Sequence, residues 1–174
     1  TLVQTREGDI LRLGVEMPDG SKGGRYDLAA YVPKDLPLIL RGNADRVDAR
    51  KRIGSVNAST TSGKINASSH GQLELSSTSG MIQAIQLQEN WIGTSRISSD
   101  SGRIIVVTPL SGNLSLSAQT AGRLSTDFGL SIHPREGGGS MAAARYGSGT
   151  SVLDVGSKTG EVVLGQAVLL EEDR

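Results

Sequence analysis

The feature that most constrains this chain is a short unit that recurs from residue 54 onward, in which a glycine precedes alternating aliphatic residues. Successive glycines lie eight to ten residues apart over most of this stretch. A strand of about five residues plus a short turn accounts for the spacing, and aliphatic residues at every second position indicate one buried face. The clearest copies begin at Ser62, His70, Ser79, Ser101, Ser111 and Ala121.

The copies alternate between two kinds, Ser-Gly-x-Ile and Gly-x-Leu. This alternation predicts an all-β fold, a single-stranded β-solenoid (β-helix-like) with about two strands per coil. Equivalent strands of successive coils would then lie above one another at a spacing of about 4.8 Å. One predicted internal column contains Ile65, Ile82, Ile104 and Leu124, and a second contains Leu73 and Leu114.

A polar column is also predicted at the corners of the coils. Glycine is expected there because it accepts a positive φ without a steric penalty. The side-chain oxygen two positions before that glycine could accept hydrogen bonds from nearby backbone N–H groups. The residues at this position are Thr61, Thr78, Asp100 and Thr120.

The sequence predicts one domain over residues 1–174, built in three parts. Residues 1–50 are expected to form longer strands, at 2–5, 10–15, 26–33 and 38–40, that cap the first coil. Such a cap is useful because the open end of a coil is an exposed sheet edge. The regular repeat array is assigned to residues 51–132 and irregular C-terminal strands to residues 133–174.

Three segments depart from the repeat and are expected to be loops, with a widened coil as the alternative at 86–91. The segment at 17–24 is rich in glycine, as is the segment at 133–139. Residues 86–95 contain Trp91, the one tryptophan, which could be a binding handle or could cover a coil edge. A specific function could be inserted at 86–95 or at 133–147.

Composition excludes several classes of function. Lysine and arginine number 18 and so do aspartate and glutamate, so the basic excess typical of a nucleic-acid binder is absent. The chain has no cysteine, which excludes disulfides, thiolate metal sites and a thiol nucleophile. No apolar run reaches the roughly 18–20 residues that span a bilayer, so membrane attachment would need a segment outside this sequence.

No catalytic, cofactor-binding or metal-binding residue is predicted. His70 occupies a turn position that serine fills in other copies, and His133 is distant from it in sequence. Asp100 and Asp127 could approach one another across coils, as the acidic groups of a polysaccharide-active enzyme would. Isolated carboxylates that accept hydrogen bonds from backbone amides are the favoured interpretation of both.

Three motifs together resemble the bacterial putative-adhesin family. They are Tyr-Val-Pro-Lys-Asp-Leu-Pro-Leu at 31–38, Thr-Thr-Ser-Gly-Lys-Ile at 60–65 and Thr-Ser-Gly-Met-Ile at 78–82. The family comprises β-strand-repeat domains of unknown function, related to the toast-rack domains of envelope-stress proteins. The resemblance covers residues 26 to about 165. It implies a β-solenoid, an exported or membrane-tethered setting in the cell envelope, and no established enzymatic activity.

The predicted function is therefore a non-catalytic structural or interaction module, adhesin-like or envelope-stress-associated. It would contact protein or cell-wall partners in the periplasm or outside the cell, with self-association as a further option. No nucleic acid and no cofactor is expected. Two alternatives stay open: a polysaccharide-active β-helix enzyme, and a cytoplasmic filament-forming solenoid.

Overall fold

The computed structural model describes residues 2–16, 27–110 and 112–167. The described residues are all-β and include no helix, so none of them forms a helix able to cross a membrane. Contacts between Cα atoms divide the chain into two units, residues 1–32 and residues 33–174.

The two described strands of the first unit form a β-hairpin. Strands β1 (Leu2–Glu7) and β2 (Ile10–Val15) pair antiparallel around a turn at Gly8, whose φ is +58°. The two predicted strands are confirmed. The strand predicted at 26–33 is wrong over residues 27–33, which are irregular, because an alternating pattern makes a strand only where a neighbouring backbone pairs with it. The loop predicted at 17–24 lies outside the described residues.

The described part of the second unit contains fourteen strands. In chain order they are β3 (Leu38–Arg41), β4 (Val47–Arg52), β5 (Val56–Thr60), β6 (Ile65–Ser69), β7 (Leu73–Ser77), β8 (Ile82–Gln86), β9 (Gly93–Ser99), β10 (Ile104–Thr108), β11 (Leu114–Thr120), β12 (Leu124–Thr126), β13 (Ile132–Pro134), β14 (Ser140–Arg145), β15 (Ser151–Ser157) and β16 (Val162–Gln166).

These strands form two sheets. The eight-stranded sheet has the order β13-β14-β11-β15-β9-β7-β5-β3, and the six-stranded sheet has the order β12-β16-β10-β8-β6-β4. From β3 to β12 successive strands alternate between the sheets, so neighbours within a sheet pair in parallel. We call a strand of the eight-stranded sheet together with the following strand of the six-stranded sheet a layer. The parallel array begins at β3, earlier than the predicted start at residue 51.

The layers are not stacked in chain order. Strand β15 pairs in parallel with both β9 and β11, and β16 pairs in parallel with both β10 and β12. The layer β15–β16 therefore lies between β9–β10 and β11–β12, although it follows both in sequence. The prediction of irregular C-terminal strands over 133–174 is wrong for this segment, because residues 151–166 fill an internal position.

The inserted layer also enters the predicted aliphatic column. Ile65, Ile82 and Ile104 lie in register as predicted, and Val162 intervenes before Leu124. All five side chains are buried, and burying each aliphatic side chain contributes roughly 1.5–3 kcal/mol. The core of this column is thus continuous across the inserted layer.

The second predicted column, Leu73 with Leu114, is wrong. Both side chains are buried, but Leu114 is in register with Ser151, and Ser151 is in register with Gly93. Strands β9, β11 and β15 each extend to seven residues, so their first residues lie before the level of Leu73.

The chain crosses itself where it enters the inserted layer. The connection after β14 passes the connection before β11, and the two meet at Gly112 and Gly147, which both have positive φ. The side-chain oxygen of Asn113 accepts the Ser148 N–H at 2.9 Å, and that of Asn90 accepts the Asn113 N–H at 3.1 Å. Crossing connections are rare in proteins, and these side-chain bonds satisfy backbone groups at the crossing.

Residues 132–145 form a hairpin at the end of the eight-stranded sheet. Strand β14 pairs antiparallel with both β11 and β13. The loop predicted at 133–139 is confirmed only for its turn, in which Gly137, Gly138 and Gly139 all have positive φ. This hairpin covers the edge that β11 would otherwise expose.

The corner glycines stack directly on one another. A Cβ at Gly80 would overlap the carbonyl oxygen of Gly63, one at Gly102 would overlap that of Gly80, and one at Gly160 would overlap that of Gly102. None of these four glycines has a positive φ, so the predicted reason for glycine is wrong at these corners, although it holds for the repeat glycine Gly112. Glycine is required because the next backbone lies in the space that a side chain would occupy.

The polar corner column exists one position earlier than predicted. It consists of the buried hydroxyl side chains of the last residues of five strands, which lie in register across the layers. Four accept the N–H of the glycine three positions later, at 2.8–3.0 Å. Among the predicted residues Thr120 belongs to the column, whereas Thr61, Thr78 and Asp100 are exposed. The column members are Thr60, Ser77, Ser99, Ser157 and Thr120.

Candidate interaction surface

The two histidines are far apart. His70 is exposed in the turn after β6, and His133 is exposed in β13 at the edge of the eight-stranded sheet. Among the residues that the structure describes, no group of three or more histidine, aspartate or glutamate side chains is placed to hold a metal ion.

Asp100 and Asp127 are not brought together. Asp100 precedes β10 and Asp127 follows β12, so they lie at opposite ends of parallel strands in the six-stranded sheet. Asp100 forms an ion pair with Lys158 at 2.8 Å, and Asp127 accepts the Gln166 backbone N–H at 3.0 Å. The expectation that they could approach one another is wrong, because the strand length separates them.

Trp91 is part of the core. It lies in the loop between β8 and β9, where its side chain is 3% exposed and its carbonyl oxygen accepts the Ser151 hydroxyl at 2.6 Å. Of the two interpretations of Trp91, a side chain that covers a coil edge agrees better with this burial than an exposed binding handle does. The interruption at 86–95 thus serves the packing of the inserted layer, since Ser151 begins β15.

The outward side of the eight-stranded sheet carries a polar ladder, which runs across five neighbouring strands in register. The amide of Asn57 donates to Glu74 at 2.7 Å, and the hydroxyl of Ser117 donates to Asp154 at 2.7 Å. Asp154 also pairs with Arg96 at 3.9 Å. The ladder consists of Asn57, Glu74, Arg96, Asp154 and Ser117.

The row beside the polar ladder contains small side chains on four neighbouring strands, between Arg41 at one end and Gln119 at the other. Ser59, Ser76, Ser98 and Gly156 lie in register on the same outward side. These four side chains are short, so a partner could approach the middle of the ladder closely, between Arg41 and Gln119. A flat surface with fixed hydrogen-bonding groups is suited to recognition of another polar surface.

The outward side of the six-stranded sheet differs at its β4 edge. The register between β4 and β6 shifts between Ala49 and Arg52, so Arg50 and Lys51 both face Ser68. Lys51 has a φ of +53°, and it is the one non-glycine residue with positive φ in the described chain. This β-bulge changes the directions of the Arg50 and Lys51 side chains from those of a regular strand.

A carboxylate stands beside the bulge. Asp48 accepts hydrogen bonds from Arg46 and Asn66, both at 3.1 Å, and lies 3.0 Å from the Arg50 guanidinium. Partial burial alone would raise the pKa of Asp48, but these hydrogen bonds and the charges of Arg46 and Arg50 outweigh it and hold the pKa below its ordinary value. Asp48 therefore stays ionised and orients both arginines.

Neither surface was identified by sequence reasoning. The ladder had a signal, because each of its members stands between two inward-facing residues of its strand. The bulge had a weaker sequence signal. The alternation of apolar and polar residues in β4 stops at three consecutive cations, Arg50, Lys51 and Arg52. Which outward residues become neighbours depends on the layer order, and no local pattern reports that order.

Comparisons with known proteins show only the fold. No protein-family model matches the chain, and no curated protein matches it. Among solved structures it is similar to a putative cell adhesion protein from Clostridium sporogenes, with a TM-score of 0.53 and 10% sequence identity. The similarity covers 77% of this chain and 94% of that protein. The chain therefore shares an all-β architecture with a distant structural neighbour.

Proposed function

We propose that this chain is a non-catalytic interaction module that presents the polar ladder to a protein or cell-wall partner. The observation that carries the proposal is the ladder itself, five polar side chains from five strands on a flat sheet face. Their positions are held by a rigid parallel backbone, which lowers the entropic cost of binding. The exposed ion pairs contribute little to stability, so their arrangement is better explained by recognition.

The proposed architecture is a β-solenoid of the putative-adhesin type with about two strands per coil. Alternation of strands between two sheets and in-register parallel pairing support it. The inserted layer would make this solenoid unusual, because one coil would be supplied out of chain order. The resemblance to the putative-adhesin family and the similar structure both favour this assignment.

The proposed location is the cell envelope, in the periplasm or outside the cell. The structural neighbour is named a putative cell adhesion protein, and the sequence motifs resemble an envelope family. At 10% identity the neighbour supports a fold, so the location rests on both observations together. Self-association through the same face is a further option for the partner.

A polysaccharide-active enzyme is the weaker alternative. The two carboxylates that would carry the reaction lie at opposite strand ends, and each has its own hydrogen-bond or ion-pair partner. A pair of cooperating carboxylates should instead lie within about 10 Å of one another, on either side of the scissile bond.

The filament alternative predicts that the purified chain forms polymers whose length increases with protein concentration.

A binding assay tests the proposal. The labelled chain should bind saturably to envelope fractions of its source organism, and the variant Glu74→Lys/Asp154→Lys should bind at least about tenfold more weakly. The matched control exchanges another exposed ion pair, as Arg103→Glu/Glu161→Arg on the six-stranded sheet. It should bind like the wild type, and both variants should keep the wild-type unfolding midpoint.

Two outcomes would count against the polar ladder as the contact surface. Absence of saturable binding to every envelope fraction would remove the interaction itself. Equal loss of binding in the ladder variant and the control variant would show that association does not depend on this face.

A further inference from the structure

The β-bulge in β4 is a local irregularity on the six-stranded sheet, and the proposed role of the polar ladder does not account for it. Strand β4 lies at the edge of the six-stranded sheet, and two of its residues share one position opposite Ser68. The Lys51 backbone adopts a conformation that non-glycine residues rarely adopt, and its N–H donates to the Ser68 hydroxyl at 2.8 Å. Such strain often marks a functional site, where a bulge directs a side chain.

The bulge borders an open groove of about 560 Å³ on the outward side of β6 and β8. Asn66 and Ser68 line it, and both are more than nine-tenths buried although they point away from the core. Gln83, Ile85 and Leu87 continue the lining across the next strand. A volume of this size falls within the range of pockets that bind small ligands or short peptide segments.

The charge of the groove is positive. Arg50 and Lys51 stand along one side, with Arg46 nearby and Asp48 as the one carboxylate among them. Within the described part of the chain, Lys51 forms no ion pair, so its ammonium group is available to a ligand. The remaining polar groups are side-chain amides and a hydroxyl, which can bond peptide N–H and C=O groups.

We propose that this groove binds a short acidic peptide segment of a partner protein. Its carboxylates would pair with Arg50 and Lys51, its backbone would bond Asn66 and Gln83, and its aliphatic atoms would contact Ile85. A sugar ligand is less well served, because no aromatic side chain lines the groove to pack against a sugar ring. A nucleic acid would need a longer basic track to neutralise several phosphates.

Protection of an edge strand is the competing explanation of the bulge. Cations and bulges discourage unwanted pairing at exposed edges, and β4 has both. That role requires exposed charge along the strand. It does not account for Asn66 and Ser68, which are buried on the adjoining face and line the space beside the cations.

Amide chemical-shift mapping of the full chain with hexaglutamate as the probe tests the proposal. Chemical-shift changes should be confined to the residues around the groove. They should become smaller as salt is raised, because the ion pairs between the probe and the two cations are partly exposed and salt screens them. The variant Arg50→Gln/Lys51→Asn should raise the dissociation constant for hexaglutamate at least about tenfold. Asparagine tolerates the left-handed backbone of Lys51, so the bulge is retained.

The matched control removes two cations elsewhere, as Arg103→Gln/Lys158→Asn, and should bind hexaglutamate like the wild type. Shifts spread over all cationic surfaces, equal losses in both variants, or no shifts would each overturn the proposal. An acidic polysaccharide is the other candidate ligand, and hexagalacturonate is the probe for it. If hexagalacturonate binds at the groove as tightly as hexaglutamate, the groove is assigned to an acidic polysaccharide instead of a peptide. These results do not depend on the polar ladder, which lies on the other sheet.

Discussion

Replacing Gly102 with alanine should destabilise the second unit by about 3 kcal/mol or more, or should prevent it from folding. The added Cβ would overlap the carbonyl oxygen of Gly80. That oxygen belongs to the backbone of the neighbouring layer and cannot rotate away as a side chain could. Relief would require the layers to separate, which would break the in-register hydrogen bonds on both sides of the corner. Urea denaturation monitored by circular dichroism measures the change.

Gly129→Ala is the matched control for this substitution. Its Cβ would have no atom within 4 Å, and its φ is not positive, so its free energy of unfolding should change by less than about 0.5 kcal/mol. A Gly102→Ala protein as stable as this control would show that the corner glycines do not stack.

Replacing Leu153 with alanine should cost about 2–5 kcal/mol in the free energy of unfolding. Leu153 is 1% exposed and lies in register between Leu116 on one side and Ser95 on the other. Loss of its side chain would open a cavity inside the stack. A residue in a terminal layer would cost less, because end strands fray and surrounding atoms can collapse into the space.

Val152→Ala in the same strand serves as the control, since Val152 is half-buried on the outward side. Its loss should be less than about 1 kcal/mol. If the Leu153 and Val152 variants were equally stable, β15 would not be an internal strand. Thermal and urea unfolding should rank the two variants in the same order.

The repeat made much of the local structure predictable. Glycine spacing and alternating aliphatics predicted the strands of the parallel array, and the column from Ile65 to Ile104 is confirmed. These features are local, since each strand needs only one buried face and one tight corner. The error at the corner was of one residue, because the hydroxyl that accepts the glycine N–H faces inward at the end of the strand.

The layer order could not be predicted in the same way. Val162 has the same environment as Ile104 and Leu124, its two neighbours, so its sequence suits any internal layer. Stacking depends on how the connections run, and the crossing at Gly112 and Gly147 leaves only two glycines as a signal. Asp154 lies between Arg96 and Ser117 only because of that order, so this part of the polar ladder could not be predicted either.

Disulfide cross-linking tests the central claim, the internal position of the β15–β16 layer, and the absence of native cysteine gives it a clean background. Gln119 and Gly156 are in register on adjacent strands, whereas Ser98 and Gln119 lie two strands apart, about 10 Å. That separation is beyond the reach of a disulfide. The pair Gly156→Cys/Gln119→Cys should therefore form a disulfide on oxidation, and the pair Ser98→Cys/Gln119→Cys should not. The opposite result would contradict the account, because it would place β9 directly beside β11 in chain order.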